Sequence, residues 1–167
     1  MATPDFILTL RKKIGHDLLW LIGVTAYVED GDGRVLLGRR ADTGEWALVY
    51  GINEPGEEPA ATVVREVSEE TGVDVTPTDL VRVRASRELT VYANGDKTQY
   101  LDIMFACRLA EGGNAVPRVA DDESLDVGWF APDALPEPLA ASTRERLAVL
   151  REWRATGERR ALFSLGE

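Results

Sequence analysis

The sequence predicts an α/β or α+β fold, a sandwich of β-sheet and helices. Segments rich in β-forming residues occur in both halves of the chain, with a helical segment free of Gly and Pro between them and a second helical segment near the C-terminus. This order of elements is typical of such sandwiches. At 167 residues, the chain is expected to form a single domain, residues 1–167, with a full hydrophobic core.

The N-terminal part of the chain predicts a lead-in followed by a hairpin. The first 18 residues are expected to be short amphipathic or irregular structure. Residues from Leu19 to Glu29 are rich in β-formers and predict a strand. The run Asp30-Gly31-Asp32-Gly33 then predicts a tight turn into a second strand, from Arg34 to Arg39.

The middle of the chain predicts an amphipathic helix. Pro59 is tolerated at a first helical position, and the acid at Glu58 suits the positive end of the helix dipole. No Gly or Pro follows until Gly72, which stands where a left-handed residue would end the helix. At about 100° per residue, one apolar stripe is expected to face the core: Ala60, Val63, Val64, Val67 and Thr71.

The C-terminal half predicts two strands joined by Asn94-Gly95, then a polar loop, a short strand and a helix. Their bounds are, in that order, Leu80 to Ala93, Lys97 to Leu109, Glu111 to Asp122, Leu125 to Phe130, and Pro138 to Thr156. Four apolar residues are expected to join the last helix to the core: Leu139, Leu147, Leu150 and Trp153.

The charge and cysteine content narrow the class of partner. With 29 acidic residues against 19 Lys and Arg, the formal charge is −10, which disfavours a nucleic acid partner and repels an anionic membrane. Cys107 is the only cysteine, so no internal disulfide forms, and a buried apolar role is expected. Because no signal peptide or membrane-length apolar run is visible, a cytoplasmic protein is expected.

Three glutamates share one face of the middle helix. Glu66, Glu69 and Glu70 are related by i, i+3 and i+4, so their carboxylates repel one another unless a cation lies between them. Clustered carboxylate oxygens suit Mg²⁺, and also Mn²⁺, which keep waters for substrate phosphates. The alternative is a solvated acidic face, but such a face gives no role to Arg65 or Glu57.

The segment from Gly51 to Val73 fits the pattern G-x5-E-x7-R-E-U-x-E-E-x-G-U, where U is apolar, at every specified position. This pattern resembles the Nudix box, and family-like features extend from about Gly23 to Pro132. The resemblance implies the Nudix fold, a mixed β-sheet sandwiched between helices (α/β/α). It also implies Mg²⁺-dependent hydrolysis of a nucleoside diphosphate linked to another group.

The resemblance also implies roles for box residues. Glu66, Glu69 and Glu70 would be metal ligands. Either a box glutamate, with Glu66 the first candidate, or Glu123 would act as the general base. Glu57 would hold Arg65 in an ion pair, and the carbonyl of Tyr50, just before the box glycine, would complete the metal shell. Most family members have Pro-Gly before that glycine, whereas this chain has Val49-Tyr50, and Tyr cannot adopt every backbone conformation open to Gly.

Residues outside the box are further candidates by resemblance. Glu123 stands six residues before Trp129, as a loop glutamate ligand does in MutT-like members, and Asp121 and Asp122 are its competitors. Arg40 falls where some relatives bind substrate phosphates; a surface cation at a strand end is the alternative. Three tyrosines are candidates for stacking on a base, against ordinary strand packing: Tyr50, Tyr92 and Tyr100.

The predicted substrate is a small nucleotide. ADP-ribose-specific members usually carry a proline about sixteen residues beyond the box, where this chain has Glu88, Leu89 and Thr90. A (deoxy)nucleoside triphosphate or dinucleoside polyphosphate is therefore favoured over ADP-ribose. The alternative function is a nucleotide-binding or regulatory module on a Nudix scaffold without turnover. The family commonly forms homodimers, and the apolar residues from Leu18 to Ile22 are a candidate interface.

Overall fold

The structure, a computed structural model, describes residues 3–165. The remaining four positions of the predicted domain, residues 1–2 in the predicted lead-in and 166–167, lie outside the described residues. The described helices and strands, in chain order, are α1 (Asp5–Ile14), β1 (Leu19–Glu29), β2 (Val35–Arg40), β3 (Trp46–Ala47), β4 (Val49–Ile52), α2 (Pro59–Thr71), β5 (Val75–Ala85), β6 (Thr90–Val91), β7 (Lys97–Leu109), β8 (Ser124–Phe130) and α3 (Ala141–Ala155).

The described strands form one mixed sheet. Its main order is β3-β2-β1-β7-β5, with β4 beside β1, β6 beside β7 and β8 beside β2. Strand β1 runs parallel to β7 along its whole length, from Leu19 opposite Thr98 to Glu29 opposite Arg108. The pairs β1–β2, β1–β4 and β5–β7 are antiparallel.

The sheet lies between two helices, which confirms the predicted α/β/α sandwich. Alternate residues of β1 enter different clusters, because successive strand side chains point to opposite faces. Val24, Ala26 and Val28 belong to the cluster that contains Val63 and Val67 of α2. The other face carries α3, through a cluster that includes Tyr27, Met104, Leu147, Leu150 and Trp153.

Most predicted elements are confirmed, including β1 and β7 at their predicted ends. The strand predicted from Leu80 to Ala93 is wrong in its bounds, because β5 begins at Val75, ends at Ala85 and is followed by a separate β6. A strand containing Pro77 is tolerated because β5 is at the end of the main strand order, and the β5–β7 register shifts between Pro77 and Asp79.

The amphipathic alternative for the lead-in is confirmed, since Asp5–Ile14 forms α1 with Ile7 buried. Two smaller expectations need correction. The last helix begins at Ala141 rather than Pro138, because Leu139 instead forms a bridge with Trp46 and is buried there. Val64, predicted to face the core, is 37% exposed, while Thr62 is fully buried.

The structure also locates Cys107 and the candidate interface residues. Cys107 is buried in β7, as expected. Leu18, Trp20 and Ile22 are exposed, and their role as a dimer interface stays a prediction. Among the described residues, no helix combines the length and apolar character needed to cross a membrane.

Candidate active site

Helix α2 turns two of its three clustered glutamates inward. Glu66 and Glu70, one turn apart, are only 6% and 7% exposed, whereas the side chain of Glu69 is 57% exposed. The helix begins at Pro59 and is ended by Gly72 in the left-handed conformation, as predicted. The cap amide of Gly72 donates to the carbonyl of Ser68. These two ends fix the position of the glutamates along the helix that packs against the sheet.

Gly51 makes room for Glu66. A Cβ atom added at Gly51 would lie 2.0 Å from Cδ of Glu66, far inside van der Waals contact. Gly51 lies in β4, opposite Val24 of β1. A glycine is therefore required here because a helix side chain occupies the space of its missing Cβ, and the backbone of Gly51 has no positive φ.

Arg65 links the entrance of the helix to its acidic face. Its Nε and Nη2 donate to the two carboxylate oxygens of Glu57, at 2.9 and 3.1 Å. Its Nη1 donates to Glu66 Oε1 and to Glu69 Oε2, both at 3.0 Å. Nη2 also lies 3.4 Å from the carbonyl oxygen of Ile52 in β4. One guanidinium thus joins β4, the following loop and α2.

The two buried glutamates are held in an unfavourable electrostatic environment. Burial raises the pKa of Glu70 to about 8, and the negative charges of Glu66, Glu123 and Asp121 add to this rise. The cation of Arg40 opposes it. Burial likewise raises the pKa of Glu66 to about 7, although Arg65 opposes this rise. Both carboxylates therefore gain from any cation that enters beside them.

The donor set fits a hard divalent cation. Oε1 of Glu70 is buried without a hydrogen-bond partner in the described part of the chain, and a metal ion would satisfy it. As the side chains stand, no three His, Cys, Asp or Glu residues among those described are arranged to hold a metal together. Glu66 and Glu69 instead accept hydrogen bonds from Arg65, so ligation by all three glutamates requires these carboxylates to turn.

A cavity of about 350 Å³ opens beside the acidic face. Glu66, Glu69 and Arg65 line it from α2, and Glu123 and Asp121 line it from the loop before β8. The charge of Glu123 raises the pKa of both Glu66 and Glu70, which places its carboxylate within electrostatic reach of the pair. Asp122, the other predicted competitor, is not among the lining residues of this cavity.

Arg40 and Tyr50 contact each other. The guanidinium carbon of Arg40 lies 4.8 Å from the centre of the Tyr50 ring, and Asp42 accepts hydrogen bonds from Nε and Nη2 of Arg40 at 2.8 and 2.6 Å. Tyr50 lies in β4 opposite Thr25. Non-glycine residues in the described part of the chain have no positive φ, so the Val49-Tyr50 sequence is accommodated as ordinary strand.

Tyr92 and Tyr100 form a pair of their own. Their hydroxyl oxygens are 2.6 Å apart, and burial together with this contact raises the pKa of Tyr100. A Cβ at Gly23 would lie 3.5 Å from Cδ1 of Tyr100 and 3.8 Å from the carbonyl oxygen of Gly51, so Tyr100 is near the box strand. Tyr92 is exposed.

Two residues near the site, Asn53 and Arg146, are not predicted from the sequence. Asn53 donates from Nδ2 to the Glu57 carbonyl, at 3.0 Å, and to Oγ1 of Thr62, at 2.6 Å, which ties the loop to the helix. The position of Asn53 inside the segment from Gly51 to Val73 is the one sequence feature that indicates a role near the site. Arg146 of α3 lies 5.6 Å from the centre of the Tyr50 ring. No sequence signal marks Arg146, because 96 positions separate it from Tyr50.

Comparisons with known proteins identify the family of the chain. The family model described as "NUDIX domain" matches residues 20–151. A "MutT-like protein" of Streptomyces ambofaciens is 36% identical over 119 residues, which cover 71% of this chain and 69% of that protein. "Nucleoside triphosphatase NudI" of Salmonella agona is 31% identical over 128 residues, covering 71% of this chain and 88% of that protein.

A mammalian relative and a solved structure extend the comparison. The mouse "8-oxo-dGDP phosphatase NUDT18" is 30% identical over 140 residues, covering 83% of this chain; the match spans only 39% of the mouse protein. The crystal structure of a "MutT NUDIX hydrolase" from Burkholderia pseudomallei superposes with a TM-score of 0.64 at 29% identity. It covers 79% of this chain and 98% of that one.

Proposed function

The chain belongs to the Nudix family of pyrophosphohydrolases. We propose that it catalyses the Mg²⁺-dependent hydrolysis of a nucleoside diphosphate linked to another group. The observation that carries the metal requirement is the buried pair of Glu66 and Glu70. Both side chains are almost fully buried, and Oε1 of Glu70 is unpaired among the described residues. Burying two carboxylates without compensation is costly, so the site suits a cation.

Glu66, Glu69 and Glu70 would hold the metal, with Glu123 and the Tyr50 carbonyl as further candidates. When bound, Mg²⁺ would neutralise charge on phosphoryl oxygens and lower the pKa of a coordinated water; Mn²⁺ could supply the same chemistry. Glu66 is the proposed general base, because it is the buried box carboxylate that also lines the cavity.

Arg65 and Glu57 would position this chemistry. Their two hydrogen bonds, at 2.9 and 3.1 Å, fix the guanidinium whose Nη1 reaches Glu66 and Glu69. Arg40 would bind phosphate oxygens of the substrate. Its positive charge lies close enough to the metal site to lower the pKa of Glu70. Tyr92 and Tyr100, near the box strand through Gly23, remain the candidates for contact with the base.

The proposed substrates are (deoxy)nucleoside di- or triphosphates, or dinucleoside polyphosphates, ahead of ADP-ribose. Two relatives support this order, being named an 8-oxo-dGDP phosphatase and a nucleoside triphosphatase. The missing proline beyond the box, where Glu88, Leu89 and Thr90 stand, also weighs against ADP-ribose. Because this chain matches about two fifths of the mouse protein, the comparison extends to the matched region alone.

A substrate panel tests the proposal. Release of phosphate and nucleotide products would be measured for nucleoside di- and triphosphates, their oxidised forms, diadenosine polyphosphates and ADP-ribose, each with Mg²⁺, Mn²⁺ and a chelator. We expect metal-dependent cleavage of one phosphate-terminated or dinucleotide class. Absence of turnover with every substrate and either metal would contradict the proposal.

Substitution of Glu70 tests its role directly. We expect Glu70→Gln to lower kcat at least about 100-fold, because metal-assisted charge stabilisation is worth several kcal/mol and each 1.36 kcal/mol is tenfold. The melting temperature in chelator near pH 7 should not fall, since Glu70, with its pKa raised to about 8, is mostly protonated there and Gln is its neutral isostere. Glu152→Gln, on the exposed surface of α3, is the matched control. Full metal-dependent turnover by Glu70→Gln would refute the assignment.

A further inference from the structure

The ring of Tyr50 carries two guanidinium groups. The central carbon of Arg40 lies 4.8 Å from the ring centre and that of Arg146 lies 5.6 Å from it, both within cation–π range. Arg40 comes from the end of β2 and Arg146 from α3, so the two arginines are 106 positions apart in the chain. The Tyr50 side chain is thus engaged with cations, which argues against its predicted role as a stacking platform for a base.

Arg146 is held in place by Asp102. Its Nη2 lies 3.2 Å from Asp102 Oδ1, and its Nε lies 3.4 Å from Oδ2. The same carboxylate accepts hydrogen bonds from Thr25 Oγ1 at 2.8 Å and from Arg82 Nη2 at 3.2 Å. Asp102 is therefore shared between two guanidiniums, and it orients Arg146 without fully neutralising it.

The arginines around Asp102 outnumber the carboxylates that they contact, and we call these arginines and carboxylates the arginine cluster. Three arginines, Arg82, Arg84 and Arg146, share the two carboxylates of Asp102 and Glu145, which leaves one net positive charge. Nε of Arg82 is buried without a partner in the described part of the chain. Arg40, by contrast, is paired with Asp42 through two hydrogen bonds, so Arg146 is the arginine at Tyr50 whose charge is not fully balanced, and an anion there would balance it.

The position of the arginine cluster indicates which anion. Tyr50 is adjacent in β4 to Gly51, whose missing side chain makes room for Glu66, and Arg40 acts electrostatically on Glu70. Building on the proposed function, we propose that Arg40 and Arg146, stacked on Tyr50, form an anion clamp for the terminal phosphate of a nucleoside di- or triphosphate. Tyr50 acts as a positioning residue for the two guanidiniums.

A terminal phosphate fits this anion clamp better than an internal one. A terminal phosphate carries up to two negative charges and three unshared oxygens, whereas each phosphate of ADP-ribose is a diester-like group with one charge. Planar guanidiniums recognise such oxygens through paired, charge-assisted hydrogen bonds. The anion clamp would therefore make the terminal phosphate a determinant of specificity. It would also give a role to Tyr50 at a position where the resembled pattern has Gly.

Direct binding tests the anion clamp independently of turnover. Methylenediphosphonate, a non-hydrolysable diphosphate with free terminal oxygens, would be titrated by calorimetry in Mg²⁺ into the wild type, Arg146→Gln and Arg144→Gln. Arg144 is the matched control, since it is exposed on α3 and pairs with Glu137. We expect about tenfold weaker binding to Arg146→Gln, or about 1.4 kcal/mol, and wild-type binding to Arg144→Gln.

Equal affinities of the wild type and Arg146→Gln, or no binding to the wild type, would overturn the anion clamp. Arg146→Lys keeps the charge but loses the planar fork, so an intermediate affinity is expected. Binding that weakens in Arg146→Gln while no nucleotide is hydrolysed would support the anion clamp and refute the hydrolase proposal. The two proposals can therefore fail separately.

Steady-state kinetics then test specificity. The ratio of kcat/KM for dGDP to that for ADP-ribose should fall about tenfold in Arg146→Gln, through KM of dGDP rather than kcat. Tyr50→Leu should move the ratio in the same direction, and Tyr50→Phe, which keeps the ring, should restore most of the loss. An unchanged ratio in Arg146→Gln, or no rescue by Tyr50→Phe, would refute the anion clamp or the positioning role of Tyr50, respectively.

Discussion

At the scale of single residues, the site depends on the absence of a side chain. Gly51 is one strand position from Tyr50, and the volume of its missing Cβ is filled by the carboxylate end of Glu66. The glycine therefore serves close packing rather than an unusual backbone angle. Any larger residue would have to displace Glu66, a proposed metal ligand and base.

We expect Gly51→Ala to reduce metal-dependent activity severely and to destabilise the protein by about 1 to 3 kcal/mol, because the added Cβ overlaps Glu66 in a packed region. Activity assays and urea denaturation would measure the two effects. Gly31→Ala is the control, since Gly31 has no positive φ and no atom within 4 Å of an added Cβ. Wild-type metal affinity in Gly51→Ala would contradict this account.

At the scale of the element, helix α2 is defined by its ends. Pro59 occupies its first position, and Gly72 ends it with a φ of 67° and an amide hydrogen bond to the Ser68 carbonyl. A Cβ at Gly72 would also lie 3.0 Å from Cγ of Arg118. The end of the helix is thus fixed both by conformation and by a neighbouring side chain.

We expect Gly72→Ala to lower the free energy of unfolding by about 1 to 2 kcal/mol, the cost of a left-handed residue with a side chain, with a further loss from the Arg118 contact. Gly112→Ala separates the two effects, since Gly112 has a φ of 70° but nothing within 4 Å of an added Cβ. Urea denaturation would compare the variants. Equal losses would show that the contact with Arg118 contributes nothing.

At the scale of the whole molecule, the fold buries two acidic side chains close together, which disfavours their ionised forms. The chain carries a formal charge of −10, and two of its acids, Glu66 and Glu70, are almost fully buried. Burial raises their pKa values to about 7 and about 8 from ordinary values of 4.5. Without metal, this pair therefore binds more protons in the folded protein than in the unfolded chain between about pH 4.5 and pH 8.

We expect the stability of the metal-free protein to fall as pH rises through this window, because the folded state must lose protons that the unfolded state has already lost. Mg²⁺ should oppose the fall, since it binds the ionised carboxylates and its stabilisation grows with pH. Thermal unfolding from pH 5.5 to 8.5, with Mg²⁺ and with chelator, would measure both effects.

The double variant Glu66→Gln/Glu70→Gln is the control for this pH dependence. It lacks both titrating groups, so its melting temperature in chelator should fall less with pH than that of the wild type. The remaining slope would report the other acids of the chain. A wild-type melting temperature in chelator that rises from pH 6 to pH 8 would refute the assignment of raised pKa values to this pair.

Local patterns were sufficient for the elements with sharp ends. The helix from Pro59, the strand from Leu19 to Glu29 and the strand from Lys97 to Leu109 could all be predicted, because Gly, Pro and Asn-Gly mark their boundaries. The early start of β5 at Val75 could not be predicted. Pro77 argues against a central strand, and only its position at a sheet end makes it acceptable.

The sequence by itself determined the family, the fold class and the row of box carboxylates, because these depend on residue types at short, regular spacings. Only the tertiary structure decided that Glu66 and Glu70 are buried while Glu69 is exposed, that β1 runs parallel to β7, and that Arg146 reaches Tyr50. These features join residues far apart in the chain. Their contacts follow from how the sheet and helices pack, which no local pattern specifies.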